Sequence, residues 1–272
     1  MSLLHRIAAF SLALSPVLAG CTQSSSPMDL DAPPLQPADR NGSTGHNGMD
    51  FYAYKAAEED VMIAADDQLV DDNTLDVTQE IEDNLLSTSE GAAVFEYAVA
   101  CAVPRGTIVS TSIGDFEGMG HMADSDAWLK GGLNLGQKQL LLACMMAHVN
   151  PYGEEVPILI SGHEIHDDGE DHSDYEVDEA LWVVTQDGVG RFEHHVYPLD
   201  FVVGLCGPNP VNALKHRLCG QSPIDCEFEM GDPTTDCTEL DGTYECLGQP
   251  AIMTSLKYKG IDSIYLGCFN ND

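Results

Sequence analysis

His163-Glu164-Ile165-His166-Asp167-Asp168-Gly169-Glu170-Asp171-His172 gathers imidazoles and carboxylates in one short stretch. These are the ligand types of zinc and its neighbours, and His163, His166, His172, Asp167 and Asp171 are the candidate ligands. The spacing departs from the helical H-E-x-x-H motif, whose histidines stand one turn apart, so a zinc site here would have to be built on a loop. Calcium prefers oxygen ligands and would draw on Asp167, Asp168, Glu170, Asp171 and Asp174. The D-x-[DN]-x-[DN]-G order of an EF-hand is absent. The plainer expectation is a solvated acidic loop with no cofactor, binding calcium or zinc weakly at most.

Other catalytic chemistry finds less footing. No G-x-S-x-G nucleophile elbow occurs. Carboxylate pairs for hydrolysis carry no information in a chain with 45 acids. His148 falls on the apolar stripe of a predicted helix and reads as a core residue. His194 and His195 are adjacent in a predicted strand, so their side chains point to opposite faces. Trp128 and Trp182 read as core.

The elements that would position these groups follow from periodicity. Residues 92–103 read as a helix, entered through a capping box at Ser87 and Glu90 and stopped by Pro104-Arg105-Gly106. Thr107 to Ser112 is β-branched and reads as a strand, with a continuation at Phe116-Glu117-Gly118. A second helix is predicted over 137–149, its apolar stripe formed by Leu140, Leu141, Cys144, Met145 and His148. Strands are predicted at 156–161, 181–185, 191–197 and 264–269, and 162–180 as a polar loop. Residues 51–86 read as an acidic, partly ordered segment whose many Asp argue against one long helix. The fold class expected is α+β: a small helix-strand-helix-strand core over 87–205, then a loop-rich, disulfide-stapled β lobe over 206–272.

The charge balance is extreme, with 45 Asp plus Glu against 11 Lys plus Arg and a net charge of −34. Such a surface repels phosphate backbones, which excludes nucleic acid as a partner. The acids are spread along the whole chain, which favours adaptation to high salt over a set of cation sites.

Nine cysteines are present. Residues 1–20 read as an export signal: His5 and Arg6 precede an apolar run over 7–18 that is too short to cross a bilayer, which needs about 20 apolar residues. Leu18-Ala19-Gly20-Cys21 resembles the bacterial lipobox, which implies cleavage before Cys21 and lipidation of its thiol. By resemblance to lipoprotein sorting, Thr22 in place of Asp implies the outer membrane. Residues 21–50, rich in Ser, Pro, Gly and Asn, read as a flexible tether. The remaining Cys101, Cys144, Cys206, Cys219, Cys226, Cys237, Cys246 and Cys268 are even in number and lack C-x2-C pairs, as a disulfide framework requires.

Cys101-Ala102-Val103-Pro104-Arg105-Gly106, then Trp128, then Ala143-Cys144-Met145-Met146-Ala147-His148-Val149-Asn150-Pro151-Tyr152-Gly153 resembles a family of uncharacterised, cysteine-rich bacterial lipoproteins. Its members share CAxPxG and ACxxAxVNxxG segments in this order. The resemblance implies the lipoprotein address and a Cys101–Cys144 pair, and it brings no activity or substrate. Both cysteines also lie on apolar helix faces, where packed helices bring facing Cα atoms within disulfide range. The expectation is a lipid-anchored envelope protein, its membrane contact made through the lipid, with a binding, display or structural role. The alternative is a metal-dependent hydrolase built on residues 163–174.

Overall fold

The computed structural model describes residues 41–71, 74–150, 155–199, 210–219 and 227–257. Cys21, Cys206, Cys226 and Cys268, the export signal and the strand expected at 264–269 lie outside them. Within them the fold is α+β.

The centre is a mixed sheet in the order β1-β4-β10-β5-β6-β7. Its strands are β1 (Ser43–Asn47), β4 (Val156–Ser161), β10 (Gln249–Leu256), β5 (Val177–Gln186), β6 (Phe192–Pro198) and β7 (Glu229–Met230). All neighbours are antiparallel except β6 and β7. The middle strands carry near-continuous apolar runs because both faces are covered. On β5, Ala180, Trp182 and Val184 join the main core. Leu181 and Val183 pack the other way, with Tyr197, Cys246 and Ala251. That second face is roofed by the hairpin of β8 (Cys237–Leu240) and β9 (Thr243–Cys246), which the Cys237–Cys246 disulfide ties together. The hairpin runs directly into β10, which pairs with both β4 and β5. The cysteine-rich stretch is therefore joined to the core sheet more closely than its composition suggests.

Helices cover the first face. α5 (Leu135–Ala147) packs on β5 and β10, α3 (Ser89–Ala102) on α5, and α1 (Phe51–Ala64) on α3. Cys101 and Cys144 are bonded across the α3–α5 contact, with Cα atoms 6.1 Å apart at a sequence separation of 43. Closing such a loop stabilises the fold by on the order of 4 kcal/mol in the chain-entropy picture. α5 is opened by a capping box of Asn134 and Gln137. α3 is capped by Thr88, whose side chain accepts from the Gly91 amide, and not by the expected Ser87–Glu90 box. Short elements complete the chain: α2 (Gln79–Asn84), the hairpin β2 (Ile108–Thr111) and β3 (Gly114–Glu117), α4 (Ala127–Lys130), α6 (Pro210–Cys219) and α7 (Pro233–Asp236).

Two expectations are corrected. Residues 51–86 contain a full helix, α1, because Phe51, Tyr54, Ala57, Val61 and Ala64 recur at helical spacing and are buried. That burial outweighs the weak propensity cost of the acids, which sit mainly on its other side. The tether expected over 21–50 gives way to β1 at Ser43, where Ser43, Gly45 and Asn47 are buried against β4. Gly42 must be small there, since a Cβ would stand 2.6 Å from the Ile160 carbonyl oxygen.

One buried ion pair locks these layers together. Arg217 on α6 and Glu179 on β5 are both fully buried, with Nε 2.8 Å from Oε1. Glu179 also accepts from Thr254 of β10 at 2.8 Å, and Thr254 accepts from Trp182 Nε1 at 2.9 Å. Arg217 donates to the carbonyls of Ala147, the last residue of α5, and of Val149 just beyond it. Arg217→Met would strand the Glu179 charge and is expected to cost about 3–5 kcal/mol in urea unfolding. Joint replacement of both residues by Met should cost clearly less than the single change. Equal losses would show that packing, and not the charge pair, matters at this position.

Candidate functional site

The acidic loop is ordered around a residue the metal expectation treated as secondary. Asp168 has a fully buried side chain. Its Oδ2 accepts from the Thr44 amide at 3.1 Å and from Arg105 at 3.0 Å. Its Oδ1 accepts from the Glu170 amide at 3.0 Å and lies 2.9 Å from His172 Nε2. Burial works to raise its pKa, but these amides, His172 and Arg105 outweigh it and hold the carboxyl down to about 2.

The expected ligands are only partly brought together. Ligand atoms of Asp167, Asp168 and His172 lie within 4.8 Å of one another. His163 is exposed and faces Glu164. His166 is exposed too, and only its backbone amide is engaged, on the His121 carbonyl. Asp167 and Asp171 accept from the amides of Gly169 and Ser173 two residues on, as turn-forming aspartates do. Asp174 pairs with Lys257. His194 and His195 share no partner: His194 meets Glu58 and Tyr54 on α1, while His195 meets Thr185 and Glu229.

Arg105 leads from Asp168 to a second place. Besides Asp168 it donates to Ser43 Oγ at 3.1 Å, and Ser43 Oγ lies 2.9 Å from His121 Nδ1. His121 forms, with His148, the floor of a cleft of about 470 Å³. Tyr97 stands on its wall, and exposed Glu96, Asp115, Glu117 and Glu155 line it. The imidazole rings are 5.3 Å apart between centroids, and the Tyr97 ring is 5.2 Å from that of His148.

His148 is fixed from several sides. It caps the C-terminus of α5, one turn beyond the disulfide at Cys144. Its carbonyl accepts from the amides of Gly48 and Met49. Its Nδ1 lies 2.7 Å from the His46 carbonyl, which can only accept. Burial, with help from the Arg217 charge, pushes its pKa down to about 4 against the opposing pull of that carbonyl. The ring is therefore neutral at pH 7, with its proton on Nδ1 and a lone pair on Nε2. Burial also holds His121 well below the usual histidine range. Since Arg105 already donates to Ser43 Oγ, the Ser43 hydroxyl is free to donate to His121 Nδ1. Both Nε2 atoms are buried and lack a hydrogen-bond partner among the described residues.

Gly45 is what lets the rings meet. A Cβ there would lie 2.9 Å from His148 Cε1 and 3.1 Å from His121 Nε2. The core position expected for His148 holds, with the addition that its ring edge lines a cleft. His121 carries no sequence signal: it sits in a Met-Gly-His-Met stretch without periodicity, and nothing in the chain links it to residue 148. The Ser43–His121 distance matches a nucleophile–base pair, but Ser43 is fully buried and already serves Arg105. The arrangement suits holding a ligand better than attacking one.

The Asp168 hub sets an acid limit on this region. Its folded pKa lies below the unfolded value of 3.8. Its stabilisation is therefore complete above about pH 4 and is lost as the pH falls through about 2. Asp168→Asn is expected to cost on the order of 2 kcal/mol at pH 7 and to flatten the acid-induced loss between pH 4 and 2. Parallel urea titrations across that range check this, and unchanged curves would remove Asp168 from its central role.

No protein-family profile matches the chain, and comparison with curated proteins and with solved structures finds no match.

Proposed function

We propose that this chain is a lipid-anchored extracytoplasmic binding protein whose ligand site is the cleft floored by His121 and His148. The observation that carries the binding reading is the pair of buried, unpartnered Nε2 atoms. Leaving such a group unsatisfied costs about 1–3 kcal/mol, and here two neighbouring groups are held so by a network reaching through Ser43, Arg105 and Asp168. A pre-formed polar pair at the foot of an open cleft is what a ligand site requires. The address rests on the lipobox ending at Cys21, on the resemblance to cysteine-rich lipoproteins, and on bonded cysteines, which suit an oxidising compartment. Thr22 favours the outer membrane. The hydrolase reading at 163–174 has less support, because His163 and His166 stand apart and Asp168 is occupied by Arg105, Thr44 and His172.

Two experiments test these halves separately. A palmitate analogue should label the wild-type chain in cells, and Cys21→Ser should lose both the label and the membrane fraction. Equal labelling would refute the address. For binding, protein extracted in mild detergent is compared with the same protein unfolded without reductant, dialysed and refolded. A resident ligand at a hundredfold excess over its dissociation constant adds about 2.7 kcal/mol. The extracted protein should therefore melt several degrees higher, and Gly45→Ala should abolish the gap. Equal melting of both wild-type samples would remove the binding reading.

A further inference from the structure

We infer that the ligand of this cleft is a late divalent transition-metal ion, of the zinc, copper or nickel class, held by Nε2 of His121 and Nε2 of His148. This rests on the binding reading above and names its ligand. Imidazole nitrogen is the donor these ions share. The second nitrogen of His148 is already committed to a backbone carbonyl, the outer contact that fixes a metal-binding imidazole in the required tautomer. His121 reaches the same state without gaining or losing a proton. The Ser43 hydroxyl has two lone pairs, so Oγ can accept from Arg105 and from His121 Nδ1–H together, freeing the Nε2 lone pair.

Distance agrees with this. An ion about 2.0–2.1 Å from each nitrogen in tetrahedral geometry places the ring centroids about 5 Å apart, against the 5.3 Å found. Gly45 leaves clear the space in which any side chain would press on both rings. Charge agrees as well. The two nearby guanidinium groups are each neutralised, Arg105 by Asp168 and Arg217 by Glu179, whereas among the described residues the carboxylates on the cleft wall form no ion pair with a lysine or arginine. Those carboxylates draw cations in, and two protein nitrogens leave coordination positions open to water or to a further ligand. Tyr97 remains a phenol, its pKa raised to about 12 by burial and by Glu96 and Glu155, and so can donate a hydrogen bond to a group bound in the cleft.

The test uses the full chain in mild detergent, never reduced, stripped with a chelator. Cobalt(II) is added as a spectroscopic probe and zinc(II) by calorimetry. One ion per chain is expected, with the visible cobalt bands of a nitrogen-ligated site of low coordination number. His121→Asn and His148→Gln should weaken binding at least roughly tenfold. His148 lies close to the Cys101–Cys144 bond, so its variant can fail by misfolding. Gly45→Ala keeps both imidazoles and should weaken binding as much, with circular dichroism confirming the fold. His163→Ala together with His166→Ala should bind normally. The inference is overturned if wild type takes up no ion, if all three cleft variants bind as wild type does, or if the exposed-loop pair abolishes binding. Should the extracted protein melt higher than the refolded one while no metal restores the difference, the metal is refuted and the binding cleft stands. A water bridging the two nitrogens in the metal-treated protein would overturn the inference equally.

Discussion

Arg217 and Glu179 form a charge pair in the middle of the molecule, and the placement of most other elements depends on it. Glu179 sits on β5, Thr254 on β10 and Arg217 on α6, and the guanidinium also lies over the Trp182 ring at 5.2 Å. Two charges buried this deeply are tolerated only when every donor and acceptor around them is used. Here the remaining guanidinium donors go to the carbonyls of Ala147 and Val149. These flank His148, whose own carbonyl and Nδ1 are committed to the strip running from His46 to Met49. The peptide at the end of α5 is thus held on both sides, and the His148 ring edge has one place to go. The rigidity of the cleft floor is a by-product of satisfying an arginine elsewhere.

A second polar chain does for His121 what the first does for His148. It runs from His172 through Asp168, Arg105 and Ser43, joining the acidic loop to β1 and to the turn that follows α3. The acidic loop acts as a brace through Asp168. Asp167, Asp168 and Asp171 accept from turn amides, Asp168 also meets Arg105 and His172, and the loop backbone reaches the His121 carbonyl and the Gly42 carbonyl. The scarce cations are spent in the same manner. Lys55, Lys138, Arg105 and Arg217 each meet a carboxylate at a position where two elements join or a helix turns. The bulk of the acidic charge is left facing solvent, as an interior so sparing with cations requires.

Much of the fold was legible wherever one periodicity ruled. α3, α5, β4, β5 and β6 lie close to where apolar spacing and β-branched runs place them, because each buries a continuous stripe or face. Legibility failed where burial uses small or polar residues. Ser43-Thr44-Gly45-His46-Asn47 contains no large apolar side chain, yet β1 is an integral edge strand whose inward positions are filled by hydroxyl, hydrogen and amide. α1 was obscured by its acids, which a window average weighs equally with the buried stripe. The site was less legible still. Cys101 and Cys144 announce themselves by type, whereas the meeting of His121 with His148 requires a glycine on a third segment and a serine two residues before it. No local pattern encodes a contact among three separate stretches.

The position of β10 governs when this protein can become itself. Residues 252–256 wedge between β4 and β5, with Leu256 opposite both Ile158 and Val177. The two halves of the sheet are not neighbours until that strand arrives. Contacts between residues nearly a hundred positions apart form slowly, since the loop between them must be closed before any pairing rewards it. A chain emerging from its amino end would assemble α1, α3 and α5 and bond Cys101 to Cys144 while its sheet remained two open ribbons. Completion waits for almost the last described residues. Such late closure leaves one edge each of β4 and β5 open until the end and makes the final strand the step that commits the chain to the folded state.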